Sequence, residues 1–137
     1  MRLQLALIAT LLVSSTAFAQ SGLAIDWEWK KSHQCSPTSP AFTLTEVPSE
    51  TASFEISMID QDFRSFNHGG GAVAHSGGTT ASVPEGALKN YKGPCPPNFS
   101  SLGHKYEFTV RAMAADGKTE LARGRKTKTF SASTVQQ

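Results

Sequence analysis

Two segments of this sequence alternate apolar and polar residues with a period of two, and no segment shows a convincing helical period. Phe54, Ile56 and Met58 fall on one side, with Glu55 and Ser57 on the other. Tyr106, Phe108, Val110 and Ala112 alternate in the same way with Glu107, Thr109 and Arg111. That period belongs to a half-buried strand, because successive side chains leave opposite faces. Without amphipathic helices, such strands bury their apolar faces sheet against sheet. Ala24–Lys30 places Ile25, Trp27 and Trp29 on one face, Ala41–Val47 is a further strand candidate, and Ala72–His75 a short one. Glu120–Thr129 is more polar and reads as an edge strand. Asp116-Gly117, between two strand candidates, signals a hairpin because both residues tolerate positive φ. Val83–Ala87 has room for a single turn at most. Loops are expected at Ser36–Pro40, Asn67–Gly71 and Ser76–Ser82. The pattern predicts an all-β fold, a sandwich or a barrel, with a frayed polar tail after Phe130.

The first nineteen residues stand outside that pattern. Met1-Arg2, an apolar run Leu3–Val13 and Ala17-Phe18-Ala19 form the three parts of a secretory signal peptide. Residues 1–19 are therefore expected to be cleaved, leaving 20–137 as a single β domain in the periplasm or outside the cell. The run is shorter than the ~20 apolar residues that span a bilayer, and no other segment is a candidate to cross one. The formal net charge is only +2, which gives no basis for nucleic-acid binding. Arg123, Arg125, Lys126 and Lys128 cluster, but in a strand they alternate between faces and read as a solvated edge. Cys35 and Cys95 are the only cysteines. In an exported chain they suit one intramolecular disulfide, with a free thiol pair or an intermolecular bridge as alternatives. There is no Cys-x-x-Cys and the histidines are scattered, so neither a metal nor a cofactor is implied.

Candidate chemistry gathers at three strand ends, where loops build binding sites. The first is Ile59-Asp60-Gln61-Asp62-Phe63, whose carboxylates share a face if the strand continues; turn residues bonding their own backbone would look the same. The second is Phe66-Asn67-His68 with Gly69–Gly71. It is similar to an esterase oxyanion-hole run, but the chain has no Gly-x-Ser-x-Gly nucleophile. His68 and His75 are an odd number of residues apart, which in a regular strand puts them on opposite faces. The third is His104-Lys105-Tyr106, whose outer two members share a face, although Tyr106 also fits a plain core position. Asn98-Phe99-Ser100 is a glycosylation sequon that matters only in a eukaryotic source.

Taken in order, these pieces resemble the phosphatidylethanolamine-binding protein (PEBP) family, and its short bacterial members above all. The resemblance runs through Gln34-Cys35-Ser36, Ser39–Leu44, Val47-Pro48, Thr51–Met58, Asp60–Asp62 and Phe66-Asn67-His68. It continues through Val83–Ala87, Asn90–Pro97 and His104–Val110, about residues 34–112. Gly93-Pro94-Cys95-Pro96-Pro97 followed by His104-Lys105-Tyr106 is its most specific part. The family implies an antiparallel β-sandwich with a small pocket for phosphate-type anions. By that resemblance, Asp60 and Asp62 correspond to the two acids of an Asp-Pro-Asp-Ala-Pro motif, and His68 to the pocket histidine. Gly93, Pro94, Pro96 and Pro97 correspond to a rigid wall, and His104 and Tyr106 to a His-Arg-Tyr pair. The resemblance also implies that Cys95 staples this wall to the segment near Cys35.

The departures are specific. Asp-Gln-Asp-Phe-Arg lacks both prolines of the motif, and Arg64 is an added cation near the site. Gly69–Gly71 replaces a bulkier strand, which should be weaker and bulged here. An Asp-Gly hairpin replaces a longer, partly helical insertion after Ala112. The resulting expectation is a non-enzymatic binding protein for a small anionic ligand or phospholipid headgroup. A protein-interaction module that inhibits a protease or signalling enzyme through its loops is the alternative. A hydrolase using His68, His104 and an aspartate lacks an activated nucleophile.

Overall fold

A computed structural model describes residues 22–97, 102–131 and 133–135. The signal-peptide segment lies outside the described residues, as do the sequon and part of the tail. Eight strands follow in order: β1 (Ala24–Trp27), β2 (Phe42–Thr45), β3 (Ser53–Asp60), β4 (Asn67–Ala74), β5 (Ala81–Val83), β6 (Asn90–Tyr91), β7 (His104–Met113) and β8 (Glu120–Phe130). The one helical element among the described residues is a 3-10 turn, Lys31–His33. The strands form two antiparallel sheets, ordered β1-β2-β5 and β6-β4-β3-β7-β8. The two alternating segments of the sequence are the central pair of the larger sheet. Their register sets Phe54 opposite Ala112, Ile56 opposite Val110, Met58 opposite Phe108 and Asp60 opposite Tyr106. All eight are buried.

The smaller sheet closes over that face. Ile25 and Trp27 from β1, Phe42 and Leu44 from β2 and Val83 from β5 complete the core. Phe108 is the contact point, with its ring centroid 4.9 Å from that of Trp27 and 4.8 Å from that of Phe42, both edge-to-face. Burying side chains of this kind stabilises by about 1.5–3 kcal/mol each. Trp29, past the end of β1, packs edge-to-face on Tyr106 and Phe130 and carries the aromatic core towards one end of the sandwich.

Three details depart from the sequence pattern. Asn67–Gly71 is strand rather than loop, the first part of β4, and Ala81 and Ser82 begin β5. The polar strand β8 is an edge, as expected, but its cations are not merely solvated. Lys126 and Lys128 both reach Asp26 of β1, at 2.8 and 2.9 Å, and Lys128 also donates to the Trp27 carbonyl. At Gly124 an added Cβ would lie 2.2 Å from the Leu23 carbonyl oxygen, so glycine there lets the chain entering β1 lie against the edge. The edge is thus closed by backbone and ion pairs. The Asp116-Gly117 hairpin is present: Gly117 has φ 69°, and the Asp116 carboxylate accepts from the amides of Lys118 and Thr119.

Cys35 and Cys95 are disulfide-bonded, with Cα atoms 4.5 Å apart and a sequence separation of 60. Closing a loop of that length restricts the unfolded chain by about 4 kcal/mol in the chain-entropy account.

The two lysine bonds hold the Asp26 carboxyl down at about 2. A carboxyl depressed on folding stabilises the protein above its unfolded value, ~3.9, and loses that contribution as pH falls through its folded value. Because the Asp26 side chain is half exposed, the effect is screened to about 1 kcal/mol or less. Asp26→Asn should therefore flatten the decline of unfolding free energy between about pH 4 and pH 2. Denaturant titrations of both proteins across that range check this, and parallel declines would contradict it.

Candidate functional site

Asp60 ends an apolar row. It occupies the next inward position after Phe54, Ile56 and Met58, and is 3% exposed. A buried carboxylate is costly unless its oxygens are hydrogen-bonded. Here Oδ1 accepts from the amides of Asp62 and Phe63, at 2.8 and 3.0 Å, and Oδ2 accepts from His104 Nδ1 at 2.6 Å. The turn reading and the site reading of Asp60 are therefore both present in one side chain. The strand does not continue, and Asp62 lies in the turn, where its Oδ2 accepts from the Lys105 amide at 2.7 Å and anchors the start of β7.

His68 reaches the same place through a bulge. Between the pairs Ser57–Gly70 and Ile59–Asn67, the single residue Met58 of β3 faces two of β4, His68 and Gly69. The extra residue turns His68 inwards, and it is buried. Gly69 has φ 67°, and a Cβ there would meet the Asn90 carbonyl oxygen at 1.9 Å. Only glycine fits, which accounts for the start of the Gly-Gly-Gly run. The bulge also breaks the parity that separated His68 from His75. Nevertheless the two lie at opposite ends of β4, His75 packing on Phe54 and His68 on Tyr106.

The proline segment holds His68 on its other side. The Lys92 amide donates to the His68 carbonyl at 2.9 Å, and His68 Nδ1 donates to the Lys92 carbonyl at 2.7 Å. Gly93 and Pro94 lie behind this clasp. Gly93 donates to the Ser36 carbonyl at 2.7 Å, and the Pro94 carbonyl accepts from Cys35 at 2.8 Å. A Cβ on Gly93 would sit 2.5 Å from two carbonyl oxygens, those of His33 and Ser36. Gly93, Pro94 and Pro96 are buried behind the wall, whereas Cys95 and Pro97 form its surface.

These elements enclose a cavity of about 500 Å³, lined by Asp60, Asp62, His68, Pro97, His104 and Tyr106 together with Cys95, Phe63 and Phe66. Phe63 and Phe66 lie within the first and second candidate stretches of the sequence but are not singled out there as ligand-binding residues; two aromatics within a polar turn are the signal that marks them. Arg64 is exposed and is not among the lining residues. Tyr106 forms part of the floor. It is 0% exposed, and its hydroxyl has no hydrogen-bond partner among the described residues. Asp60 and the Cys95 backbone lie near that hydroxyl, but neither meets hydrogen-bond geometry. Burial first, and the charge of Asp60 second, push the phenol well above its usual range, so it stays a donor. A cleft of about 450 Å³ beside β1 is more open, and its charged groups are spent on ion pairs such as Lys30 with Glu85. No cluster of three or more potential metal ligands occurs among the described residues.

A search of solved structures matches the crystal structure of Escherichia coli YbcL, described as a new member of the mammalian PEBP family. The match has a TM-score of 0.58 and covers 80% of this chain and 98% of that one. The fold is PEBP-like. At 18% identity the likeness is one of architecture. No protein-family model and no curated protein matches the sequence. The PEBP-like sandwich puts the bulged β4, the proline wall and the start of β7 at one end, which is where the cavity lies.

The partners of each imidazole dictate where its proton sits. A carbonyl only accepts, so neutral His68 carries its hydrogen on Nδ1, and the carboxylate of Asp60 requires the same of His104. His33 is the reverse: its Nδ1 accepts from the Lys30 amide, so Nε2 is protonated and donates to Glu85. His75 donates through Nε2 to the Gly78 carbonyl. Nitrogen-15 ring spectra of the neutral forms should therefore show two Nδ1–H and two Nε2–H tautomers, assigned in that way. Nε2–H signals from His68 and His104 would show that the clasp and the Asp60 contact do not persist in solution.

Proposed function

We propose that this chain is an exported binding protein whose cavity takes a small anionic ligand, a phosphate group or the headgroup of a phospholipid. The observation that carries the reading is the Tyr106 hydroxyl, a buried donor with no partner among the described residues, on the floor of a cavity shared by two histidines. Leaving such a group unpaired costs about 1–3 kcal/mol. The hydroxyl has no exposed surface, so a ligand oxygen reaches it by a small displacement of the floor, and accepting from it recovers that cost. With Nδ1 engaged on both His68 and His104, each ring has only Nε2 left for a ligand. Protonated, that atom becomes a charge-assisted donor.

Export is supported by the leader-like N-terminus and by the disulfide, a bond that persists outside reducing compartments.

Tyr106→Phe tests this reading. Removing an unpaired buried hydroxyl should leave unfolding free energy equal or higher, by up to about 1–3 kcal/mol. The same change should weaken binding of inorganic phosphate about tenfold or more, the worth of a hydrogen bond to a charged group. Calorimetric titration and a denaturation curve of both proteins give the two readouts. A variant that binds phosphate as tightly as the parent would overturn the reading, and so would a parent that does not bind it at millimolar concentration. The latter result would favour a protein partner engaged through the loops.

A further inference from the structure

The geometry points to a ligand that joins its anionic head to an aromatic ring, an aryl phosphate rather than a bare or polar one. The inference rests on the anion-binding reading above and concerns the rest of the same cavity. At about 500 Å³ the cavity falls in the range that accommodates whole small molecules, ~300–1,000 Å³, and a lone phosphate would leave much of it empty. The remaining wall is apolar and aromatic. Phe63 and Phe66 are 54% and 42% exposed, unusual for phenylalanine, and both border the opening. Their rings are nearly parallel, 21° apart, with centroids separated by 6.5 Å. From there aromatic contacts continue inwards: Phe66 meets His68 edge-on at 4.7 Å, and His68 meets Tyr106 edge-on at 5.4 Å.

The polar groups available to a ligand are thus at the floor and the flat rings are at the mouth. A ligand matching both ends carries its charge inside and an aromatic group outside. Stacked and edge-to-face contacts with Phe63 and Phe66 would favour a flat ring over an alkyl chain of similar size. Lys92 contributes as well. Its Nζ stands 5.4 Å from the Phe66 centroid, a cation over the ring on the side away from the cavity lining, which polarises that ring. Phe63 is also where the sequence departs from the Asp-Pro-Asp-Ala-Pro pattern, so the preference is a property of this chain. The competing use of the two exposed rings is insertion into a lipid surface, and the experiment separates the two.

The test is calorimetric titration of the oxidised protein with inorganic phosphate, phosphorylethanolamine, hexyl phosphate and phenyl phosphate. It is run on the parent and on Phe63→Ala, whose exposed side chain can be removed without opening the core. Sedimentation with phosphatidylethanolamine–phosphatidylglycerol vesicles runs alongside. Phenyl phosphate should bind about tenfold more tightly than phosphorylethanolamine and more tightly than hexyl phosphate. Phe63→Ala should shrink the ratio of phenyl phosphate to inorganic phosphate affinity. Phosphate binding with no gain from the phenyl group, or a ratio unchanged in the variant, overturns this inference while leaving the anion-binding reading in place. So does vesicle binding that depends on Phe63 without a phenyl preference. Failure of all four soluble ligands overturns both.

Discussion

The carboxylate of Asp60 is the constraint on which this end of the molecule depends. It sits at the end of an apolar strand face, where an unpaired charge would cost several kcal/mol. It is tolerated because its two oxygens accept three hydrogen bonds, from Asp62, Phe63 and His104. Each bond also places something. Two of them fold the turn that carries Asp62 and Phe63 to the cavity, and the third orients the imidazole of His104. The register that sets Asp60 opposite Tyr106 then fixes the floor. One buried acid therefore couples the sheet, the turn and the site.

The opposite wall is organised by backbone rather than by charge. His68 is turned inwards by a bulge that only glycine accommodates at position 69, and it is gripped through both its carbonyl and its ring by Lys92. Prolines stiffen the segment that follows by fixing φ, which lowers the entropy lost when the wall is held in place. The disulfide ties that segment to the chain beyond the 3-10 turn. Rings and wall are thus fixed by the chain's own hydrogen bonds, prolines and disulfide, the condition under which binding energy is least spent on reorganisation.

Much of the fold was legible because period-two alternation reports burial directly. The rows Phe54–Met58 and Tyr106–Ala112 became the central strand pair, and the Asp-Gly hairpin formed where it was expected. What misled was composition. Gly69–Gly71 reads as loop because glycine has low strand propensity, yet here close backbone neighbours exclude any side chain. Lys126 and Lys128 read as solvated because their partners Asp26 and Glu28 lie about a hundred residues away. In the site, the resemblance brought Asp60, His68, His104 and Tyr106 to one cavity. It did not separate Pro97, which faces the cavity, from Gly93, Pro94 and Pro96, which support it from behind. Nor did it single out Phe63 and Phe66, whose exposure depends on a turn shaped by Asp60.

The most direct test of the account follows the four histidine ring signals by NMR while phosphate is added to the oxidised protein. The account predicts that His68 and His104 shift together along one saturable curve, while His33 and His75, which are outside the cavity lining, do not move. Movement of His33 or His75 in place of the cavity pair, or no movement in any ring at millimolar phosphate, would contradict it.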